Sequence, residues 1–145
     1  MGTQQILLIV LSVIIVGAAI AVGIQMFNNQ AYSANKAAIA ADAQSYASQI
    51  VQYYKTPISQ GGAGGDLTNV TADDIGSFIG WGGKENTDGD SGRYQISRVE
   101  ATEVDITGIG TEVKNGNSPK IVTTISFPDG KITAVPSDDG GTTGF

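Results

Sequence analysis

ILLIVLSVIIVGAAIAVGI, residues 6–24, carries no charge and no polar group stronger than the hydroxyl of Ser12. Nineteen such residues in a row are long enough to cross a bilayer as a helix. Met1, Gly2, Thr3, Gln4 and Gln5 precede the run, and it passes directly into helix-compatible sequence. Residues 25–55 contain no Pro and no Gly, and Ala is the commonest residue there. Pro57 is the first residue suited to stop the helix, because it lacks an amide proton and clashes with the preceding turn. The spacing therefore predicts one continuous helix of about 55 residues, roughly 80 Å long at about 1.5 Å per residue.

The two halves of that helix differ in kind. Between residues 34 and 54 the larger apolar side chains fall at Ile39, Ala43, Tyr46 or Ala47, Ile50 and Tyr54, the spacing of one helical stripe, while Lys36, Asp42, Gln44, Ser48 and Gln52 lie off it. A domain packs against such a stripe. The first half has no solvent-compatible face, so it belongs in lipid or in a core of like helices.

This order resembles a type IV pilin or pseudopilin: an opening Met, a short polar segment, an apolar run, an amphipathic stem, then a Gly-rich linker and a strand-rich end. The resemblance covers about the first 55 residues, and beyond them it is architectural only. It implies that Met1 is the first residue of a mature chain and that the unassembled subunit is stored in the inner membrane. A pilus assembly machinery would then draw the subunit into an extracellular helical filament of identical copies. The implied assembly residues are Met1, Gln5, Ile6, Leu7, Leu8, Ile9, Val10, Leu11, Val13, Ile14, Gly17, Ile20, Gly23 and Phe27, with Thr3 and Gln4 helping to set axial register. Two departures stand beside it. In the family, a glutamate at the fifth mature position pairs with a neighbouring N-terminal amine; Gln5 stands here, and its neutral amide accepts an ammonium proton more weakly than a carboxylate would. The family's short basic leader ending in Gly does not appear in this sequence.

Gly17 and Gly23 bracket GAAIAVG within the span. Small residues at such spacing allow close helix approach in lipid. The family's filament cores often lose helical hydrogen bonds here, and Gly costs about 1 kcal/mol relative to Ala in a helix. An extended or frayed segment is expected within residues 17–23. Phe27, Tyr32, Tyr46, Tyr53 and Tyr54 are strung along the helix, and packing rather than conduction is expected of them.

Composition removes several function classes. With 145 residues, a long helix leaves about 90 for one small domain. Eight Lys plus Arg against fourteen Asp plus Glu give a net charge of −6, with the basic residues scattered, so no nucleic-acid surface is encoded. The chain has no Cys and no His, which removes disulfides, thiolate or imidazole metal sites and His-based acid/base chemistry. The opening lacks the basic residues and short apolar core of a cleavable signal peptide. Ile6 stands where a myristoylation signal needs Ser or Thr. No nucleophile motif or phosphate loop occurs; GGAGG lacks the Lys and helix that would follow. Enzymatic activity is not expected.

After Pro57 the character changes. SQGGAGGD, residues 59–66, has no periodicity and is expected to be a flexible connection. Thr71 then caps a short helical turn carrying Ile75, Phe78 and Ile79, and GWGG, residues 80–83, ends it. Trp81 is expected to lie half-buried over the core, the alternative being an exposed contact for a neighbouring subunit. Asn69-Val70-Thr71 matches a glycosylation acceptor pattern common by chance, and no role is given to it. In ENTDGDSG, residues 85–92, Asn86, Asp88 and Asp90 resemble the first half of a calcium loop. Ser91 replaces the turning Gly and Ser97 the closing acid, so a solvated acidic turn is expected and calcium is the lesser alternative.

From Arg93 onward the alternation is that of strands: Tyr94, Ile96 and Arg98, then Val104, Ile106 and Ile109, then residues 121–127 and 131–135. Asn115-Gly116 and Pro128-Asp129-Gly130 are turn sequences. A four-stranded antiparallel meander laid on the helix stripe is expected. The tail PSDDGGTTGF, residues 136–145, is expected to be disordered, or else anchored on a neighbour through Phe145.

The fold expected is α+β, a long N-terminal helix packed on a small antiparallel sheet. It divides into an apolar membrane or filament-core half (1–27), an amphipathic stem (28–56), a Gly-rich linker and loop (57–92) and the sheet with its polar tail (93–145). The function expected is a structural subunit of a type IV pilus-like filament. A minor pilin or pseudopilin of a secretion system, and a non-polymerising single-pass membrane-anchored interaction domain, are the alternatives. Motility, adhesion, secretion and DNA uptake are not distinguished by these residues.

Overall fold

The computed structural model describes residues 2–137, so the expectations for Met1 and for the tail from residue 138, with Phe145, lie outside the described residues. Helix α1 (Gly2–Lys55) is continuous for 54 residues. It passes through Gly17 and Gly23 as helix, so the extended segment expected there does not form in the single chain. Two glycines weaken the helix by about 1 kcal/mol each, but opening it would unpair backbone groups that nothing else in the chain is placed to satisfy.

The C-terminal end of α1 shows how the Gly-rich segment is used. The expected flexible connection instead wraps back over the last turn: Ala63 N–H donates to Tyr53 O at 3.0 Å, Gly64 N–H to Thr56 O at 2.8 Å and Gly65 N–H to Tyr54 O at 2.8 Å. These bonds satisfy carbonyls that a helix end leaves open. They also carry Ala63 and Leu67 into the core. A 3-10 turn, Ile58–Gln60, begins the wrap. Helix α2 (Ala72–Phe78) follows with Thr71 as its cap, as expected, and buries Ile75.

Five strands form one antiparallel sheet in chain order: β1 (Glu85–Asn86), β2 (Gly92–Val99), β3 (Glu103–Gly110), β4 (Lys120–Ser126) and β5 (Lys131–Ser137). Strands β2 to β5 are the expected meander. Strand β1 is an addition, two residues too short to show any periodicity, pairing Glu85 with Gln95 and Asn86 with Tyr94. Asn115 (φ 54°) and Gly116 (φ 84°) both adopt the left-handed conformation that a two-residue Asn-Gly turn requires. Gly130 is also left-handed, at φ 71°.

The sheet lays one face on the second half of α1. Tyr32, Ile39, Ala43, Ala47, Ile50 and Tyr53 are the buried residues of the helix. Of the alternatives Tyr46 and Ala47 it is Ala47 that is buried, and Tyr53 takes the buried place expected of Tyr54; Tyr46 and Tyr54 are half-buried and pack at the margins of the core. From the sheet come Tyr94, Ile96, Val104, Ile106, Ile121 and Ile125. Alternation in β4 is complete: Ile121, Thr123 and Ile125 face inward, and their neighbours are half-exposed.

Candidate functional site

The stem is the part of the chain that the fold leaves unused. Of the expected assembly residues, Ile6, Leu7, Leu8, Ile9, Val10, Leu11, Val13, Ile14, Ile20 and Phe27 are all exposed, by between 51% and 71%. Gln5 lies in the helix and is exposed. A Cβ built on Gly17 or Gly23 would meet nothing within 4 Å. The apolar surface thus runs around the whole helix. Ser12 donates its hydroxyl to Leu8 O at 2.7 Å, so even the polar group in the run is satisfied internally. The stem is long and apolar enough to cross a membrane, and none of its apolar window is buried in the chain. Of the aromatics along the helix, Phe27 alone projects into the open; Tyr46, Tyr53 and Tyr54 make ring contacts within the domain.

Where stem meets domain, the chain is uncharged: Gln25, Asn28, Asn29 and Gln30 are polar, and Met26 and Phe27 between them are apolar and exposed. Across a cleft from Gln25, Asn28 and Asn29 stand Val113, Lys114 and Asn115 of the β3–β4 connection. The Lys114 ammonium lies 5.8 Å from the Tyr32 ring centroid, within range of a cation–π contact. Asn35 fixes the root of this connection. Its Nδ2 donates to Ser91 O at 2.7 Å and its Oδ1 accepts from Glu112 N–H at 3.3 Å. Gly110 leaves the room for it: a Cβ there would stand 2.0 Å from the Asn35 oxygen.

About two turns further along α1, the grip is aromatic. Tyr94 is completely buried and donates its hydroxyl to Asp42 Oδ2 at 2.7 Å. Burial, together with the hydrogen bond and charge of Asp42, pushes the Tyr94 phenol far above its ordinary range. Asp42, placed off the stripe by its polarity, is therefore part of the helix–sheet junction. Gly108 lies opposite Tyr94 in the ladder, and a Cβ at 108 would approach the Tyr94 ring to 3.0 Å. Trp81 is half-buried, edge-on to Tyr46 with centroids 4.8 Å apart. That is the core role expected of it.

The calcium alternative gains no support from the loop before β2. Asn86 belongs to β1; its Oδ1 accepts from Asp88 N–H at 3.1 Å, and its Nδ2 reaches the Tyr46 hydroxyl at 3.4 Å. Asp88 and Asp90 are exposed. Among the described residues no group of three or more His, Cys, Asp or Glu is placed to share a metal ion.

Arg98, on β2, is ringed by three acids, with Nε on Asp105 at 2.7 Å, NH2 on Glu103 at 2.9 Å and NH1 on Glu100 at 3.2 Å. No protein-family model, curated protein or solved structure matches this chain.

Proposed function

We propose that this chain is a structural subunit of a type IV pilus-like helical filament, held in a membrane by its stem before assembly and joined to copies of itself through that stem afterwards. The observation that carries this reading is the asymmetry of α1: one unbroken helix whose first half is apolar on every side and touches nothing, and whose second half is gripped by the sheet. A stem of this kind exchanges lipid for other stems at little hydrophobic cost, since both surroundings are apolar. Contacts between staggered stems are head-to-tail and do not close, which makes a fibre rather than a ring.

In this reading Ile6, Leu7, Leu8, Ile9, Val10, Leu11, Val13, Ile14 and Ile20 form the filament core. Gly17 and Gly23 allow close approach, Gln5 stands in for the family's glutamate, and the domain tiles the outside. Its partners are other copies of the chain and the machinery that draws it from the inner membrane; its role is structural, not catalytic. The carboxylates Asp66 and Asp74 fit that view, each serving its own turn by accepting from Thr68 and Thr71. The alternative of a membrane-anchored domain that never polymerises is favoured by the span itself, which meets the length and composition of a membrane crossing.

Electron microscopy of material sheared from intact cells, with mass spectrometry of the N-terminus of the recovered chain, separates the two. Thin helical fibres built from this chain are expected. Recovery only from detergent-solubilised membranes, with no fibre, overturns the filament reading and leaves the anchored domain.

A further inference from the structure

We infer that the turn at residues 113–117 is a membrane-contact device that seats the stem end of the domain on an anionic lipid surface while the stem occupies the bilayer. The inference rests on the membrane-stored state proposed above and adds to it a defined surface and a defined ligand class, the phosphate-bearing headgroups of anionic phospholipids.

Depth supplies the first observation. A hydrocarbon core of about 30 Å takes about 20 helical residues, so a stem that enters it at Ile6 leaves it near Gln25. Gln25, Asn28 and Asn29 then lie among the headgroups, and the turn stands directly across a cleft from those residues. The turn also hangs well below the rest of the sheet. Asn35 marks the sheet's lower edge, since it packs on Gly110 at the end of β3, and from Asn35 down to Gln25 the helix descends about 15 Å at 1.5 Å per residue.

Chemistry supplies the second. The turn presents Val113, an exposed apolar side chain, next to Lys114, whose ammonium lies 5.8 Å from the Tyr32 ring centroid. An apolar residue beside a cation and an aromatic ring suits the boundary between acyl chains and headgroups. Its backbone is rigidly set by the left-handed Asn115-Gly116 pair and the Lys114–Asn117 bridge, with N–H···O distances of 2.9 and 3.0 Å.

The third observation is charge. A chain of net charge −6 is repelled as a whole by an anionic surface. The turn at residues 113–117, VKNGN, carries one cation, the exposed Lys114, and no acid, so the attraction of that ammonium to headgroup phosphates, acting within a Debye length, is what turns this end of the domain to the surface.

The full chain, reconstituted at low density in phosphatidylcholine vesicles with and without phosphatidylglycerol, tests this directly. The natural chain has no Cys, so single labels are placed through Val113→Cys at the turn, Thr68→Cys at the far pole and Ile15→Cys in the stem. Headgroup-attached nitroxide lipids are expected to quench the 113 label several-fold more than the 68 label. Phosphatidylglycerol is expected to increase that quenching, and Lys114→Glu in the same labelled chain to remove the increase. Equal quenching at 113 and 68, with the 15 label quenched by acyl-chain nitroxides, overturns the docking while leaving stem insertion standing. Quenching at 113 that ignores lipid charge and instead follows the protein-to-lipid ratio assigns the turn to a second copy of the chain and likewise overturns it. If the 15 label avoids the acyl chains, the membrane-stored state itself fails and the docking fails with it.

Discussion

The two halves of α1 share one backbone and one helical geometry, yet their side chains live in different solvents. Ile14 is 62% exposed in the stem, and Ile50, the same residue type in the same helix, is fully buried by sheet and loop. Helix formation therefore does not distinguish them; their partners do. The stem's apolar surface is unmatched within the chain, whereas the second half meets an inward sheet face of Ile96, Val104, Ile106 and Ile125. The difference makes two independent energetic units on one rod: a domain stabilised from within, and a stem stabilised only by what surrounds it.

The sharpest way to break that comparison is to make the same substitution in both halves. Ile50→Ala is expected to lower the stability of the domain by about 4 kcal/mol, the transfer and cavity cost of a buried aliphatic side chain. Ile14→Ala is expected to leave the domain's urea midpoint unchanged. Denaturant melts of the detergent-held chain, followed by Trp81 fluorescence, read both. A large shift from Ile14→Ala would mean that stem and domain are coupled after all.

The converse substitution probes the stem in its own surroundings. Ile14→Lys places a charge at the middle of the span, where insertion costs about 3 kcal/mol, so partition into vesicles in a flotation assay is expected to fall roughly a hundredfold. The Trp81 melt should stay where it was. Loss of both would again merge the two units.

Within the gripped half, Tyr94→Phe removes the hydroxyl that binds Asp42 and is expected to cost about 2 kcal/mol, because it strips a hydrogen bond from a half-buried carboxylate. It also carries a pH signature. The folded-state pKa of Tyr94 is raised above the ordinary 10.0, as is that of Tyr53, through burial and the nearby charge of Asp74. A raised value means that the native chain holds its proton longer than the unfolded chain. The stabilisation is complete below pH 10.0 and falls as pH climbs above it toward the folded value. Melts above pH 10 should fall steeply in the natural chain and less so in Tyr94→Phe.

How much of this was legible in the residues follows from the range over which each feature acts. The long helix, its stripe, the cap at Thr71 and the Asn115-Gly116 turn are local, so periodicity and turn chemistry expose them. The wrap of residues 61–65 over the end of α1 depends on carbonyls of Tyr53, Tyr54 and Thr56, and a Gly-rich string does not declare which acceptors it will find. Asp42 reads as a solvent-facing acid until the meander delivers Tyr94 to it. The stem was legible as an unpartnered apolar helix because none of its apolar window is buried against the rest of the chain, so nothing distant contradicts its pattern.

The smallest expected effect contrasts a helix that relies on its cap with one that does not. Helix α1 has no acid in its first turn, whereas α2 is only seven residues long and opens with a reciprocal capping box. Thr71 Oγ1 accepts from Asp74 N–H at 3.3 Å, while the Thr71 amide and hydroxyl donate to Asp74 Oδ2 at 2.9 and 2.7 Å. A helix this short does not persist on propensity alone, so Thr71→Ala is expected to cost about 1 kcal/mol, read by the same melts at neutral pH. Those bonds hold the Asp74 carboxyl below its ordinary 3.8. A lowered folded value gives stability that is present above pH 3.8 and is lost as pH falls through the folded value. The difference between the natural chain and Thr71→Ala should therefore narrow in acid. Because Asp74 is open to solvent, screening keeps the ionic share of that difference small, and the hydroxyl–amide bond should survive as the residue of it. A difference that stayed constant from neutral pH into strong acid would show that the Thr71 hydroxyl alone holds α2 against the domain.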